Sequence, residues 1–361
     1  MKAAVLLALL SFSAAAGPAR RPARHRVKRA PQARLLTDPT AVSWPRRLAP
    51  GRWTPEAADA LERLLQNLGD GTTGYSASDP PAAVFVLDDV AMNGSPGGVL
   101  FARLVADAGF SFDAAFWRQV PPHHGGPRAR AGWQSFQGQP RSVWARDPHY
   151  LMYRKALHGA DASLCRSGGK RTCARWRAAL LTGLAEADLQ RIARRVVGES
   201  LRRPLSPETV GDSPDDPSSL GVSMALRFVP EILDLTGNLR ARGFDVWFFS
   251  HSSQYPALEA SRLYGVHPTR VVGLRQKVAD GKLTPETLLP VPLDEGLAEA
   301  VTLFLGRPPV LAVGGPADGP LLDYDDGSGL RLVLSGPDEA PTDSLRKGWL
   351  VQPPFSPVSA P

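Results

Sequence analysis

Three short apolar runs, each closed by polar or small residues, constrain the fold more than any other feature of this sequence. Ala82-Ala83-Val84-Phe85-Val86-Leu87 runs into Asp88-Asp89, Val246-Trp247-Phe248-Phe249 into Ser250, and Val310-Leu311-Ala312-Val313 into Gly314-Gly315. A continuous apolar run bounded by turn residues suits a strand covered on both faces, because alternation disappears when neither face meets water. Segments of helical character, 232–242 and 295–305, precede the second and third runs. Strand alternating with helix predicts an α/β chain with a doubly wound, mostly parallel sheet. Ligands of such sheets sit outside the carboxyl ends of the strands. Asp88, Ser250 and Gly314-Gly315 should therefore rim one crevice.

About 150 residues separate the first two runs, far more than a crossover needs. Helical patterns lie in this stretch at 112–119, 150–157 and 184–201. The last of them sets Leu184, Leu189, Ile192, Val196 and Val197 on one face, with Arg194 and Arg195 off it. We expect a mostly helical cap at 93–225, inserted into a core built from 46–92 and 226–352, with a flexible tail at 353–361. The segment 204–219, rich in Pro, Asp and Ser, reads as a loop leading back to the core. Ahead of the first run, Thr54, Pro55, the leucines at 61, 64, 65 and 68, and then Gly69 spell out a capped helix.

The N-terminus has the layout of a secretory signal peptide. Lys2 is followed by the apolar stretch 3–10 and by Ser13-Ala14-Ala15-Ala16, which places cleavage near Ala16. The apolar stretch is too short to span a bilayer. A secreted or periplasmic chain with no membrane span is the expectation. The net charge of +7 misleads about the body. Residues 1–34 carry eight Lys or Arg and no acid, which leaves 34 bases against 35 acids elsewhere. A near-neutral body gives no reason to expect a nucleic-acid partner. The Pro/Arg-rich segment 17–45 buries too little apolar surface to fold. It is either an arm for anionic lipid, polysaccharide or nucleic acid, or simply a solvated linker. Cys165 and Cys173 are the 2 cysteines of the chain. In an oxidising compartment they form either a short disulfide or a pair of buried thiols. A metal site would need further ligands, and His158 alone is near.

Four phrases, "AAVFVLDDV", "LRARGFDVWFFSHSS", "YGVHPTRVVGLRQKVADGKLTPETLLPVP" and "VLAVGGPADGPLLDY", follow one another in an order that resembles the haloacid dehalogenase superfamily. The branch most similar is that of phosphoserine- and phosphocholine-phosphatase-like proteins with a helical cap. The resemblance spans most of residues 45–350. It implies a Rossmannoid core and a chemistry in which one Asp attacks phosphorus and binds Mg²⁺. An Asp two residues later is then the general acid and base, a Ser or Thr and a Lys hold the phosphoryl oxygens, and an acidic pair completes the metal site. A carboxylate approaching a phosphate dianion needs cationic charge to offset repulsion, and Mg²⁺ needs oxygen ligands.

Laid onto this chain, the attacking Asp falls on Val86 and the second Asp on Asp88, followed by Val90. Ser250 stands at the hydroxyl position, Leu297 at the Lys position and Gly315 at the metal acid, with the second acid near Gly319. Valine has no lone pair to attack with, and glycine has no side chain to ligate a metal. The resemblance thus implies an exported phosphatase homologue with impaired catalysis, retaining Asp88 and Ser250. Such a protein acts as a binding module for a small phosphorylated or anionic ligand, and no cofactor is expected. The alternative is an active Mg²⁺-dependent phosphomonoester hydrolase with an atypical site. In that case Asp88 attacks, Asp318 or Asp323 serves as a displaced metal acid, and Lys277 or Lys282 as a displaced Lys. Asp88 and Asp318 are then the metal ligands.

Other constellations carry less. His123-His124 lies in a Pro/Gly setting where neighbouring imidazoles diverge. His251 beside Ser250 lacks the Gly-x-Ser-x-Gly elbow of a nucleophilic serine and reads as a crevice-lining residue. Trp117, Trp133, Trp144 and Trp176 either pack the insert or line a pocket. No Walker loop, dinucleotide fingerprint or zinc-ligand spacing occurs.

Overall fold

The computed structural model describes residues 48–213, 215–324, 329–336, 339, 344 and 347–357. The signal peptide, the basic linker and residues 358–361 of the tail lie outside them.

The described residues open with helix α1 (Pro55–Leu68), whose N-cap Thr54 accepts a hydrogen bond from the Ala57 amide and whose apolar stripe buries Leu61, Leu64 and Leu65. Strand β1 (Ala82–Val86) follows and is buried throughout. After the short β2 (Met92–Asn93) come α2 (Pro96–Ala106), α3 (Ala114–Gln119), α4 (Gly126–Phe136), α5 (Arg141–Trp144), α6 (Pro148–Ala179) and α7 (Glu186–Ser200). Next are the short strands β3 (Glu208–Val210), β4 (Leu220–Val222) and β5 (Arg227–Phe228). The rest of the core comprises α8 (Pro230–Ala241), β6 (Asp245–Ser253), α9 (Gln254–Ser261), β7 (Val271–Ala279), β8 (Lys282–Leu288) and α10 (Glu295–Ala300). It closes with β9 (Leu311–Gly314), α11 (Gly319–Leu322), β10 (Leu330–Leu334) and β11 (Leu350–Gln352).

These strands form a 7-stranded sheet in the order β11-β10-β9-β1-β6-β7-β8. All neighbours are parallel except the β7–β8 hairpin at one edge. The first strand is central, with Phe85 opposite Phe248 on β6 and Val313 on β9. The order of strands reverses between β1 and β9, so the crevice opens at their carboxyl ends. The fold is thus α/β and doubly wound, with a mostly helical cap inserted after the first strand. Backbone hydrogen bonds tie the hairpin tip to the insert: Gly183 N to Leu283 O, Leu283 N to Leu184 O and Glu186 N to Gly281 O. They hold α6 and α7 over the strand ends.

The structure differs from the sequence reading in three places. Strand β6 does not stop before Ser250 but continues to Ser253, because its polar end is buried and bonded rather than solvated. Strands β10 and β11 extend the sheet beyond the three apolar runs. A buried arginine interrupts β10 and disguises it. Arg331 is 2% exposed and donates to the carbonyls of Leu322, Pro309 and Tyr324 at 3.0–3.1 Å. The 204–219 loop contributes β3, which pairs with β4 in an antiparallel ribbon. The tryptophans of the insert build its interior. Trp117 and Trp133 pack on Phe112, Trp144 on Phe136 and Tyr150, and Trp176 on Phe101, at ring-centre distances of 4.9–5.6 Å. Cys165 and Cys173 are joined as a disulfide.

Candidate functional site

Asp88 sits just beyond β1, 2% exposed. A buried carboxylate must be matched by donors, and four converge on it. One oxygen accepts from the Ser95 hydroxyl at 2.9 Å and from the Ser252 hydroxyl. The other accepts from the Ser250 hydroxyl and from the His251 amide, the latter at 2.9 Å. Asp88 thereby links the ends of β1 and β6 to the first turn of α2. Ser95 is the N-cap of that helix and Pro96 its first residue, a local sequence that starts a helix at this point. Gly97 allows the close approach. A Cβ there would lie 2.8 Å from Ser252 Oγ, and the Gly97 amide donates to that oxygen at 2.7 Å.

Beside Asp88, His251 Nε2 lies 3.0 Å from Asp318 Oδ1 across the mouth of the switch point. The other Asp318 oxygen accepts from the Gly315 amide at 2.7 Å. Burial lowers the pKa of His251, but the Asp318 contact and the charge of Asp88 outweigh it and hold the pKa above the ordinary histidine value.

The remaining positions singled out in the sequence fall as follows. Val86, the last residue of β1, is 0% exposed and pairs with Phe249. Ser250 is likewise fully buried under the site, and the facing wall is made by His251, Ser252 and Ser253. Leu297 lies in α10 with its side chain in the core. Lys277 pairs with Glu286 at 3.0 Å and Lys282 opens β8, both on the edge hairpin. Asp323 is held by Lys347. The rings of His123 and His124 lie tilted against each other with centres 4.2 Å apart. Among the described residues no group of three or more His, Cys, Asp or Glu stands together as a metal site. None of their helices is long and apolar enough to cross a membrane.

The donor set does not fit Mg²⁺. Both Asp88 oxygens are committed to two donors each, Asp318 faces an imidazole and an amide N–H, and Val86 and Gly315 supply no side-chain oxygen.

Two adjoining cavities, of about 240 and 460 Å³, open between this cluster and the insert and share Asp89, Ser95, Phe101 and Arg177. Asp89 has a left-handed backbone (φ 59°). Its carboxylate is accessible in the cavity mouth although protein surrounds it on most sides. Burial raises its pKa, Lys170 at 3.9 Å opposes the rise, and Asp88 adds to it; the net effect is upward. The smaller cavity has an apolar wall of Leu100, Phe101, Phe110 and Leu181. The larger contains His158, 5% exposed, whose Nε2 has no hydrogen-bond partner among the described residues. Burial, then Arg154 and Arg177, depress its pKa to about 3.

Sequence reasoning anticipated Asp88 and the lining role of His251, but not Ser95, Ser252, Asp89 or Lys170. A signal for Ser95 was present in "NGSPGG", a capped helix start directly after the strand. Lys170 had none, because its place depends on how the insert folds back.

No protein-family model matches this chain, and no curated protein matches it. Among solved structures, a conserved protein of unknown function from Anaerococcus prevotii superposes with a TM-score of 0.72 at 17% identity, covering 85% of this chain and 97% of that one. A protein of unknown function from Bordetella pertussis gives 0.49 at 13% identity, over 76% and 98% of the two chains. A haloacid dehalogenase family hydrolase from Salmonella enterica serovar Typhi gives 0.38 at 15%, over 78% and 70%. Below a TM-score of 0.5 neither of the last two superpositions bears on what this chain does. A central first strand, a helical insertion directly after it and polar strand ends meeting at the switch point are the arrangement that the sequence resemblance implies. The fold of this chain is a Rossmannoid α/β core carrying an inserted helical cap, and it is similar to that of the Anaerococcus prevotii protein.

Proposed function

We propose that this chain is an exported binding protein on a phosphatase-like fold, whose crevice takes a small phosphorylated or otherwise anionic ligand and in which turnover is lost or strongly impaired. The observation that carries this reading is the state of Asp88, whose two oxygens are saturated by four donors. A carboxylate so committed can neither approach a substrate nor ligate a metal without breaking the joint between β1, β6 and α2. Val86 supports the reading, since a buried valine at the strand end offers no nucleophile. So does the His251–Asp318 pair, which spends a further buried carboxylate on an imidazole. Export rests on the N-terminal sequence alone. The rival, an active Mg²⁺-dependent phosphomonoesterase, draws on Asp89, an accessible carboxylate in the cavity mouth.

Hydrolysis of p-nitrophenyl phosphate by the mature chain, with Mg²⁺ and with a chelator, separates the two. We expect no turnover above that of Asp88→Asn under either condition. Robust Mg²⁺-dependent turnover that disappears in Asp88→Asn would overturn the proposal.

A further inference from the structure

We propose that the disulfide-closed turn Cys165–Cys173 is the anion-recognition element of the crevice, with Lys170 and Arg166 taking the phosphate of a small organic phosphate ester and the apolar wall taking its organic part. This rests on the reading of the crevice as a ligand site and names what that site recognises.

The turn interrupts α6, and the sequence builds it at some cost in helix stability. Gly169 has φ 69° and ψ −178°, a conformation that is essentially restricted to glycine. The Cys165–Cys173 disulfide closes the loop across it, and both cysteines face the smaller cavity. Three basic residues are displayed by this loop, Arg166, Lys170 and Arg171. Arg171 reaches across to the start of α10, 3.8 Å from Asp294 and 3.5 Å from Glu295, and anchors the loop to the core. Lys170 faces the smaller cavity and Arg166 the larger.

These two cations are the uncommitted ones. Arg177, between the cavities, is held by both oxygens of Asp161 at 2.7 Å. His251 is held by Asp318. Lys170 has only a loose 3.9 Å contact with Asp89, both side chains being more than half exposed. Arg166 is exposed and makes no ion pair among the described residues. An anion entering here meets Asp89 in the mouth and Asp88 beneath it, so positive charge must come from the facing wall, and the turn is that wall. Two separate cations suit a dianion better than they suit a single carboxylate. Phe101, Phe110 and Leu181 offer the adjoining apolar contact.

The test is calorimetric titration of the full chain with phenyl phosphate and with inorganic phosphate. The parent should bind phenyl phosphate more tightly than inorganic phosphate. Lys170→Gln and Arg166→Gln should each weaken it about tenfold or more, the loss expected for one charge-assisted contact. Lys170→Arg should keep most of the affinity, as a role in charge requires and a merely structural role does not. The double variant Cys165→Ser/Cys173→Ser should also weaken binding although every cation remains, and Lys170→Gln carries the test if that variant fails to fold. Lys277→Gln, on the distant hairpin, should change nothing. Binding by the parent with Lys170→Gln and Arg166→Gln unchanged overturns this inference and leaves the proposed function standing. A parent that binds neither probe overturns both. Turnover by the parent sinks the proposed function alone, and a tenfold rise in KM for Lys170→Gln would then still support the turn.

Discussion

Asp88→Ala removes an acceptor on which four donors converge at a site 2% exposed. The hydroxyls of Ser95, Ser250 and Ser252 can rotate in search of other partners. The His251 amide cannot, and an unsatisfied buried N–H costs about 1–3 kcal/mol. His251 also loses one of its two neighbouring carboxylates, and removing one partner from a buried charged cluster costs about 3–5 kcal/mol. We therefore expect Asp88→Ala to destabilise the fold by about 3–5 kcal/mol. Asp88→Asn should cost less, about 1–3 kcal/mol. Its amide oxygen can still serve His251 and Ser250, while its NH₂ meets two serine oxygens that already accept the Gly97 and Gly98 amides. Urea unfolding followed by tryptophan fluorescence measures both. A carboxylate kept for catalysis behaves in the opposite way, because removing it commonly leaves stability unchanged or raised. An Asp88→Ala midpoint within about 0.5 kcal/mol of the parent would refute the view of Asp88 as a joint.

Val86→Asp places a carboxylate at a position that is 0% exposed, and should cost about 3 kcal/mol or more by denaturant titration while bringing no gain in phosphate-ester turnover. The pH profile of stability should have two limbs of opposite sign. His251, with its pKa raised by Asp318 and Asp88 against the effect of burial, contributes stability that is complete below about pH 6.5 and is lost as pH rises through the folded value; His251→Gln should flatten this alkaline limb. His158, depressed to about 3, stays neutral in the fold while the unfolded chain takes up a proton below about pH 6.5. Stability should therefore fall with acid from there toward pH 3, and His158→Phe should remove that limb in urea midpoints taken across pH 4–9. Removing the disulfide with Cys165→Ser/Cys173→Ser should lower stability by about 2–3 kcal/mol, the chain-entropy value for so short a loop, which thermal melts with and without reductant can check.

The α/β class, the capped helix at Thr54 and the crevice at the strand ends were legible in the sequence because each has a local cause. An apolar run without alternation can be satisfied only between two covered faces. A Thr-Pro start followed by leucines at helical spacing specifies its own beginning and buried face. Asp88 was legible too, as the polar residue that closes the first run. Strands β10 and β11 were not, because Arg331 makes a buried segment look amphiphilic, and only the carbonyls gathered around it from Pro309, Leu322 and Tyr324 make its burial tolerable.

What the site does with those residues was decided by tertiary structure. Nothing local distinguishes an aspartate that awaits a substrate from one that accepts four hydrogen bonds. The difference lies in Ser95, Ser250, Ser252 and the His251 amide, brought to Asp88 from two other elements up to 164 residues away. The pairing of His251 with Asp318 and the placing of Lys170 against Asp89 have the same origin. By itself the sequence determined which segments must be buried and where polar groups would meet the strand ends, since burial and capping are properties of neighbours in the chain. Which polar group satisfies which, and therefore whether a carboxylate is free to react, depends on partners distant in sequence and is settled only when the sheet and the insert close around them.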